Sequence, residues 1–177
     1  MQTFLPFSDY AASAACLDTR RLGKQVLEVA QMLRALETGT GFGAHHPATL
    51  AWRGCEASLA MYGRACLAEH RKRTGGNGYA AAGELFDSYP ETDDKPAWLS
   101  SLLESSHRGH LYRKDPQHYE RFRYYHAIEL TYPVTDGDRF CYVERTEGGF
   151  VGVGLTENNY SSIAKTAKKA SVKAYWF

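Results

Sequence analysis

The stretch LDTRRLGKQVLEVAQMLRAL, residues 17–36, decides how the chain is read. Leu22, Val26, Val29, Leu33 and Leu36 fall at i, i+4, i+7, i+11 and i+14, the period of a helix that packs one stripe against a core. Asp18 has the chemistry of an N-cap. Away from that stripe, Arg21, Gln25 and Glu28 line up, with Lys24 one step around. The helix thus offers two cations, an amide and a carboxylate on one side. The plain account of that side is a solvated face with a Lys24–Glu28 pair contributing roughly 0.2–0.5 kcal/mol. The other account is a chemical site, and the rest of the chain has to decide between them.

On the N-terminal side, MQTFLPF reads as a short extended lead, and Ser8 as the cap of a short Ala-rich helix to about Cys16. On the C-terminal side, GTGFG is a flexible stop. It has neither the GxxxxGKS pattern nor the preceding strand of a phosphate loop. Pro47 then opens a helix expected to run to about Arg71, with Trp52, Cys55, Leu59, Tyr62 and Cys66 as a stripe able to pair with the central helix. Its basic end, Arg71-Lys72-Arg73, suits the negative end of a helix dipole. TGGNGYAAAG reads as loop and residues 84–96 as an acidic surface excursion. PAWLSSLLESS starts another helix, and Asp115-Pro116 breaks it. From about Thr135 the texture turns β-rich: RFCYVER and FVGVGLTE form a hairpin across TEGG, and NNYSSIAKTAKKAS a short basic helix. The expected fold is mainly α. A compact helical body of about four to six helices occupies 1–134, and an α+β extension (hairpin plus helix) occupies 135–177.

The chain has 177 residues and a net charge of +1, enough for one domain with a real core and an appendage. No apolar run approaches the ~20 residues of a membrane span. MQTFLPFSDY lacks the basic and apolar regions of a signal peptide, which points to a cytoplasmic protein. Cys16, Cys55, Cys66 and Cys141 are scattered without a CxxC and read as reduced and mostly buried. Residues 105–126 carry five Lys/Arg against two Asp/Glu, so a local basic face exists despite the near-zero total.

Several chemistries find no support. His45-His46 are adjacent and His107/His110 are i, i+3, but no HExxH or zinc-finger spacing accompanies them, so no metal site is expected. One of His45 and His46 is expected to hydrogen-bond near a helix start. No GxSxG elbow is present. SHRGHLYRKDPQHYERFRYY packs five Lys/Arg, three His and four Tyr, the mixture a nucleic-acid surface needs and also one that an amphipathic core helix can carry.

Four pieces in order, MQTFLPF, LDTRRLGKQVLE, HHPATLAWRG and SHRGHLYRKDPQHY, resemble a bacterial and phage branch of the pyrimidine-dimer DNA glycosylase family, the T4 endonuclease V-like family. The likeness runs over roughly residues 1–134. It implies an all-α fold, cleavage of the N-glycosidic bond at damaged pyrimidines, and strand scission by β-elimination. Glu28 falls at the family's catalytic carboxylate, able to stabilise positive charge at the sugar and assist proton transfer. Arg20, Arg21, Lys24 and Gln25 would face phosphates, with His45 and His46 nearby, and His107, Arg108, Arg113 and Lys114 would form a second DNA-contacting patch. The family's nucleophile is the α-amine of a Thr exposed by Met removal, a group titrating near pH 8. Here residue 2 is Gln and Thr3 lies one place later, and Arg21 replaces the family's assisting histidine. Three alternatives follow: attack by the Met1 α-amine, attack by Lys24, or no imine. The leading reading is a monomeric, cofactor-independent DNA glycosylase, with or without abasic-site lyase activity, acting on a flipped base in duplex DNA. The rivals are a catalytically silent nucleic-acid-binding or host-interaction protein, and an enzyme acting on a nucleotide or modified nucleoside.

Overall fold

The computed structural model describes residues 2–41, 43–136, 139–146 and 149–153. They form a mainly helical chain with a small antiparallel sheet on the C-terminal side. In chain order the elements are α1 (Tyr10–Cys16), α2 (Thr19–Thr38), α3 (Pro47–Leu50), α4 (Glu56–Thr74), α5 (Ala80–Asp87), α6 (Ser101–Lys114), a 3-10 helix (Glu120–Tyr125), β1 (Thr131–Asp136), β2 (Arg139–Thr146) and β3 (Gly149–Val153). Two compact units contain them. Met1–Ala44 with Trp52–Pro96 makes the first, and His45–Ala51 with Ala97–Phe177 the second.

The first unit is built on α2 packed along α4, with α1 against α4 and α5 against both. Asp18 caps α2 as its chemistry predicts, its side chain accepting from Arg21 N at 2.9 Å. Leu22, Val26, Val29 and Leu33 are all fully buried. From α4, Leu59, Tyr62 and Cys66 meet them, also fully buried. Burial pushes the Cys66 thiol up to about 12, so it stays protonated.

Arg73 has a structural task beyond dipole complementation. Its guanidinium donates to the carbonyls of Leu17 (2.6 Å) and Ala15 (2.9 Å), covering the C-terminal end of α1 just where α2 begins. The same guanidinium reaches Glu69 at 2.8 Å and holds that carboxyl below the usual range.

Four sequence expectations are corrected. The cap of α1 is Asp9, accepting from Ala12 N at 2.6 Å, not Ser8. The helix expected from Pro47 to Arg71 is two helices, because Gly54 turns the chain with φ at +80°, a conformation open to glycine at no steric cost. Residues 80–87, read as loop and excursion, form α5, whose Phe86 is fully buried. The β region starts at Thr131 and adds β1 to the expected hairpin. Pro133 masks it in sequence, yet the order β1-β2-β3 makes β1 an edge strand, where a missing N–H is tolerated.

In the second unit the strands pair antiparallel, with Pro133 opposite Tyr142 and Arg145 opposite Phe150. Trp98 Nε1 donates to Ala51 O at 2.8 Å, and the Tyr142 hydroxyl donates to Trp98 O at 2.5 Å, so α3 and β2 are tied through one tryptophan residue. The predicted break at Asp115-Pro116 is present, since α6 ends at Lys114. The expected helix at 157–170 lies outside the described residues.

Gly109 sits where the turn after the 3-10 helix crosses α6. A methyl there would run into the carbonyl oxygens of Tyr125 and Ile128, which are backbone and cannot swing away. Gly109→Ala is expected to lower stability by about 3 kcal/mol or more, read as the shift of the urea midpoint. An unchanged midpoint would show that the turn gives way freely.

Candidate active site

The first seven residues carry no helical period, and their structure explains the charged side of α2. Residues 2–5 lie buried over it. Gln25, only 1% exposed, holds them as a neighbouring strand would. Its Nε2 donates to Gln2 O (2.8 Å), and its Oε1 accepts from Phe4 N (2.8 Å). The Tyr62 hydroxyl lies 2.8 Å from Phe4 O and 2.9 Å from Gln25 Oε1 and shares its one proton between them. Complete burial pushes the Tyr62 phenol well above its ordinary value, so it remains a donor. Trp52 Nε1 donates to Thr3 Oγ1 at 3.2 Å, fixing the same segment from another direction.

Glu28 stands at the edge of this assembly, 8% exposed. Its Oε2 accepts from Gln25 Nε2 (3.0 Å) and from the backbone N–H of Gln2 (3.3 Å). Its Oε1 is 3.6 Å from Lys24 Nζ, on a side chain that is 70% exposed. One carboxylate oxygen is therefore locked by donors and the other turned toward a solvent-facing amine. Such an arrangement can stabilise a developing cation and hold or release a proton without losing its orientation.

The predicted site residues separate into groups. Glu28 and Lys24 are brought together. Met1 lies outside the described residues. Arg20 is exposed, and Arg21 pairs with Asp18 at 2.5 Å. Gln25, expected to face phosphate, is buried, its amide engaged with residues 2 and 4 and with Glu28. The residues of the second unit divide likewise. His45 is exposed, and His46 caps α3, its Nδ1 accepting from Ala48 N at 3.1 Å, as expected for one of the pair. His107 is corrected: at 1% exposure it belongs to the buried stripe of α6 with Leu103 and Leu111. Arg108 reaches Glu104 (3.1 Å) and the Tyr125 hydroxyl (3.2 Å). Arg113 donates to His126 O (2.6 Å) and Ile128 O (2.8 Å). Both arginines thus hold the end of the 3-10 helix and the turn after it, and Arg113 and Lys114 are exposed, as are Arg121, Arg123 and Tyr124 beyond them. Among the described residues, no group of three or more His, Cys, Asp or Glu side chains could hold a metal ion.

Sequence reasoning missed Gln2, Tyr62 and Trp52 as supports of the site. Tyr62 and Trp52 were legible only as packing residues, although buried tyrosine and tryptophan polar groups need partners.

The first unit thus carries a carboxylate locked by two donors beside a solvent-facing amine. Residues 1–80 match the family of pyrimidine dimer DNA glycosylases, so the chain resembles that family over the stretch that holds Glu28, Lys24 and Gln25. The match supports a pyrimidine-dimer DNA glycosylase type of function at family level, with DNA as the substrate the family implies. The motif at residues 107–119 lies beyond it. No curated protein matches the chain, and no solved structure does. No helix among the described residues is long and apolar enough to cross a membrane.

Proposed function

We propose that the chain is a DNA glycosylase with abasic-site lyase activity, in which Glu28 is the catalytic carboxylate and an amine beside it the nucleophile. The observation that carries this reading is the Glu28 geometry: Oε2 held by Gln25 and the Gln2 N–H, Oε1 beside Lys24, all within the family-matched stretch. The amine attacks the sugar C1′ of a flipped nucleotide. The C1′–N bond breaks, and its electron pair leaves with the base, which takes up a proton. The amine nitrogen loses its proton as the ring opens to an imine. Removal of a C2′ proton then expels the 3′ phosphate oxygen with the C3′–O electron pair. Glu28 stabilises the cationic sugar in the first step and serves proton transfer in the second. Two amines compete for the role. Lys24 Nζ already stands against the carboxylate, and a Met1 α-amine would be joined by one peptide bond to the nitrogen that Glu28 holds. Arg20 meets phosphates, and in the second unit Arg113 and Lys114 are the exposed cations of the predicted patch.

The test is borohydride trapping on duplexes carrying a cyclobutane dimer or an abasic site, with mass mapping of the adduct. An adduct at Lys24 or at residue 1 supports the reading and identifies the nucleophile. Base release without an adduct removes the imine and the lyase step but keeps the glycosylase. Retained binding with neither release nor adduct would leave a silent DNA-binding protein and overturn the proposal.

A further inference from the structure

One face of α2 is exposed along its whole length. Arg20, Lys24, Leu27, Gln31, Arg34 and Thr38 recur at i, i+4, i+7, i+11, i+14 and i+18, and every one of them is exposed. Three are cations and none is an acid. In the middle stands Leu27, 48% exposed and one of three large apolar side chains left in the open among the described residues. Its neighbour in sequence is Glu28.

We propose that Leu27 is an apolar wedge that enters the DNA base stack when a nucleotide at the lesion is flipped, with Arg20 and Arg34 holding the strand on either side. This rests on the glycosylase reading. Removing a base from a duplex requires unstacking it, and proteins that open a base step commonly do so by inserting an aliphatic or aromatic side chain. Leu27 meets the requirements of that task. It is aliphatic and projects from a rigid helix rather than a loop. It lies about 1.5 Å along the axis from Glu28 and a third of a turn around it, so the two side chains address adjoining positions on a strand. The charges match the occupant. From Arg20 to Arg34 the stripe covers about 21 Å, roughly six base steps at ~3.4 Å each, with Leu27 midway between them. The far end of the stripe opens into a depression of about 310 Å³ that includes Gln31, Arg34, Thr38 and Thr40.

The experiment compares base release by wild type, Leu27→Ala and Leu27→Met on one lesion placed in a duplex and in a single strand. Leu27→Ala is expected to lose at least about tenfold on the duplex and to change less than about twofold on the single strand, where nothing has to be pried apart. Leu27→Met, which restores a long apolar side chain, is expected to recover the duplex rate. Equal losses on both substrates, or no loss on the duplex, would overturn the wedge. If wild type releases no base at all, the glycosylase reading fails and the wedge is judged by 2-aminopurine beside the lesion in the bound duplex. A fluorescence rise with wild type that Leu27→Ala lacks keeps the wedge, and the same response, or none, from both proteins overturns it. The urea midpoint of Leu27→Ala serves as the check that the protein is folded.

Discussion

Replacing Glu28 by Gln is expected to reduce base release by about a thousandfold while leaving duplex affinity within about threefold. The substitution is close to isosteric. The Gln oxygen can still accept from Gln25 Nε2 and from the Gln2 N–H, which now reach Glu28 Oε2 at 3.0 and 3.3 Å, so the segment over α2 keeps its place. What disappears is the carboxylate proposed to stabilise charge and serve proton transfer. Affinity is proposed to rest on cations elsewhere on α2, so its salt dependence is expected to be unchanged. A single-turnover assay for base release, paired with a binding titration at two salt concentrations, separates the two properties. If Glu28→Gln releases base within tenfold of wild type, Glu28 is not the catalytic group. If it binds no DNA, its role is structural.

The second large effect is on stability. Gln25→Leu is expected to cost about 3–5 kcal/mol, because it leaves the Phe4 N–H and the Gln2 carbonyl buried without the amide that serves both. Tyr62→Phe, which removes one shared donor from the same cluster, is expected to cost about 1–2 kcal/mol. Gln25→Glu gives a third outcome. It places a carboxylate where Gln25 Nε2 stands, 3.0 Å from Glu28 Oε2, and turns a donor into an acceptor. Two such carboxyls cannot both ionise cheaply, so one of them acquires a folded pKa raised above its unfolded value. A raised carboxyl pKa means stability that is present below the unfolded pKa and lost as pH rises through the folded one. The Gln25→Glu protein should therefore be closest to wild type in mild acid and fall behind it toward neutrality. Urea midpoints measured from pH 4 to pH 8 check this, and parallel curves for variant and wild type would refute the coupling.

These two residues also mark where sequence reading succeeded and where it ran out. The stripe from Leu22 to Leu33 and the Asp18 cap were legible because period and capping are local properties. The place of Glu28 beside Lys24 followed from i, i+4 spacing. What covers that side of the helix was not legible. Residues 2–5 have no periodicity to say where they go, so Gln25 read as a solvent-facing ligand for DNA when it is the partner of a buried chain. His107 went wrong for a different reason. Its spacing of four from Leu103 and from Leu111 announced a buried stripe, but the density of Arg, Lys and Tyr around it read as a surface. Helix α5 gave no starting signal, because Tyr79 stands at its N-cap without a side-chain hydrogen bond. Strand β1 was hidden by Pro133, which only an edge position permits.

The position of Phe86 carries a consequence for the evolutionary unit. Its ring is fully buried, and a Cβ on Gly63 of α4 would come within 2.8 Å of it. Arg64 Nη2, on the next residue of that helix, donates to Phe86 O at 2.7 Å and Tyr89 O at 2.6 Å. The ring and both carbonyls come after residue 80, where the match to the family ends. A fragment cut at that boundary would keep Glu28, Lys24 and Gln25 yet bare the face of α4 that Phe86 covers and strip Arg64 of its two acceptors. The stretch that matches the family and the stretch that packs with it therefore differ in extent, the second reaching at least to Tyr89.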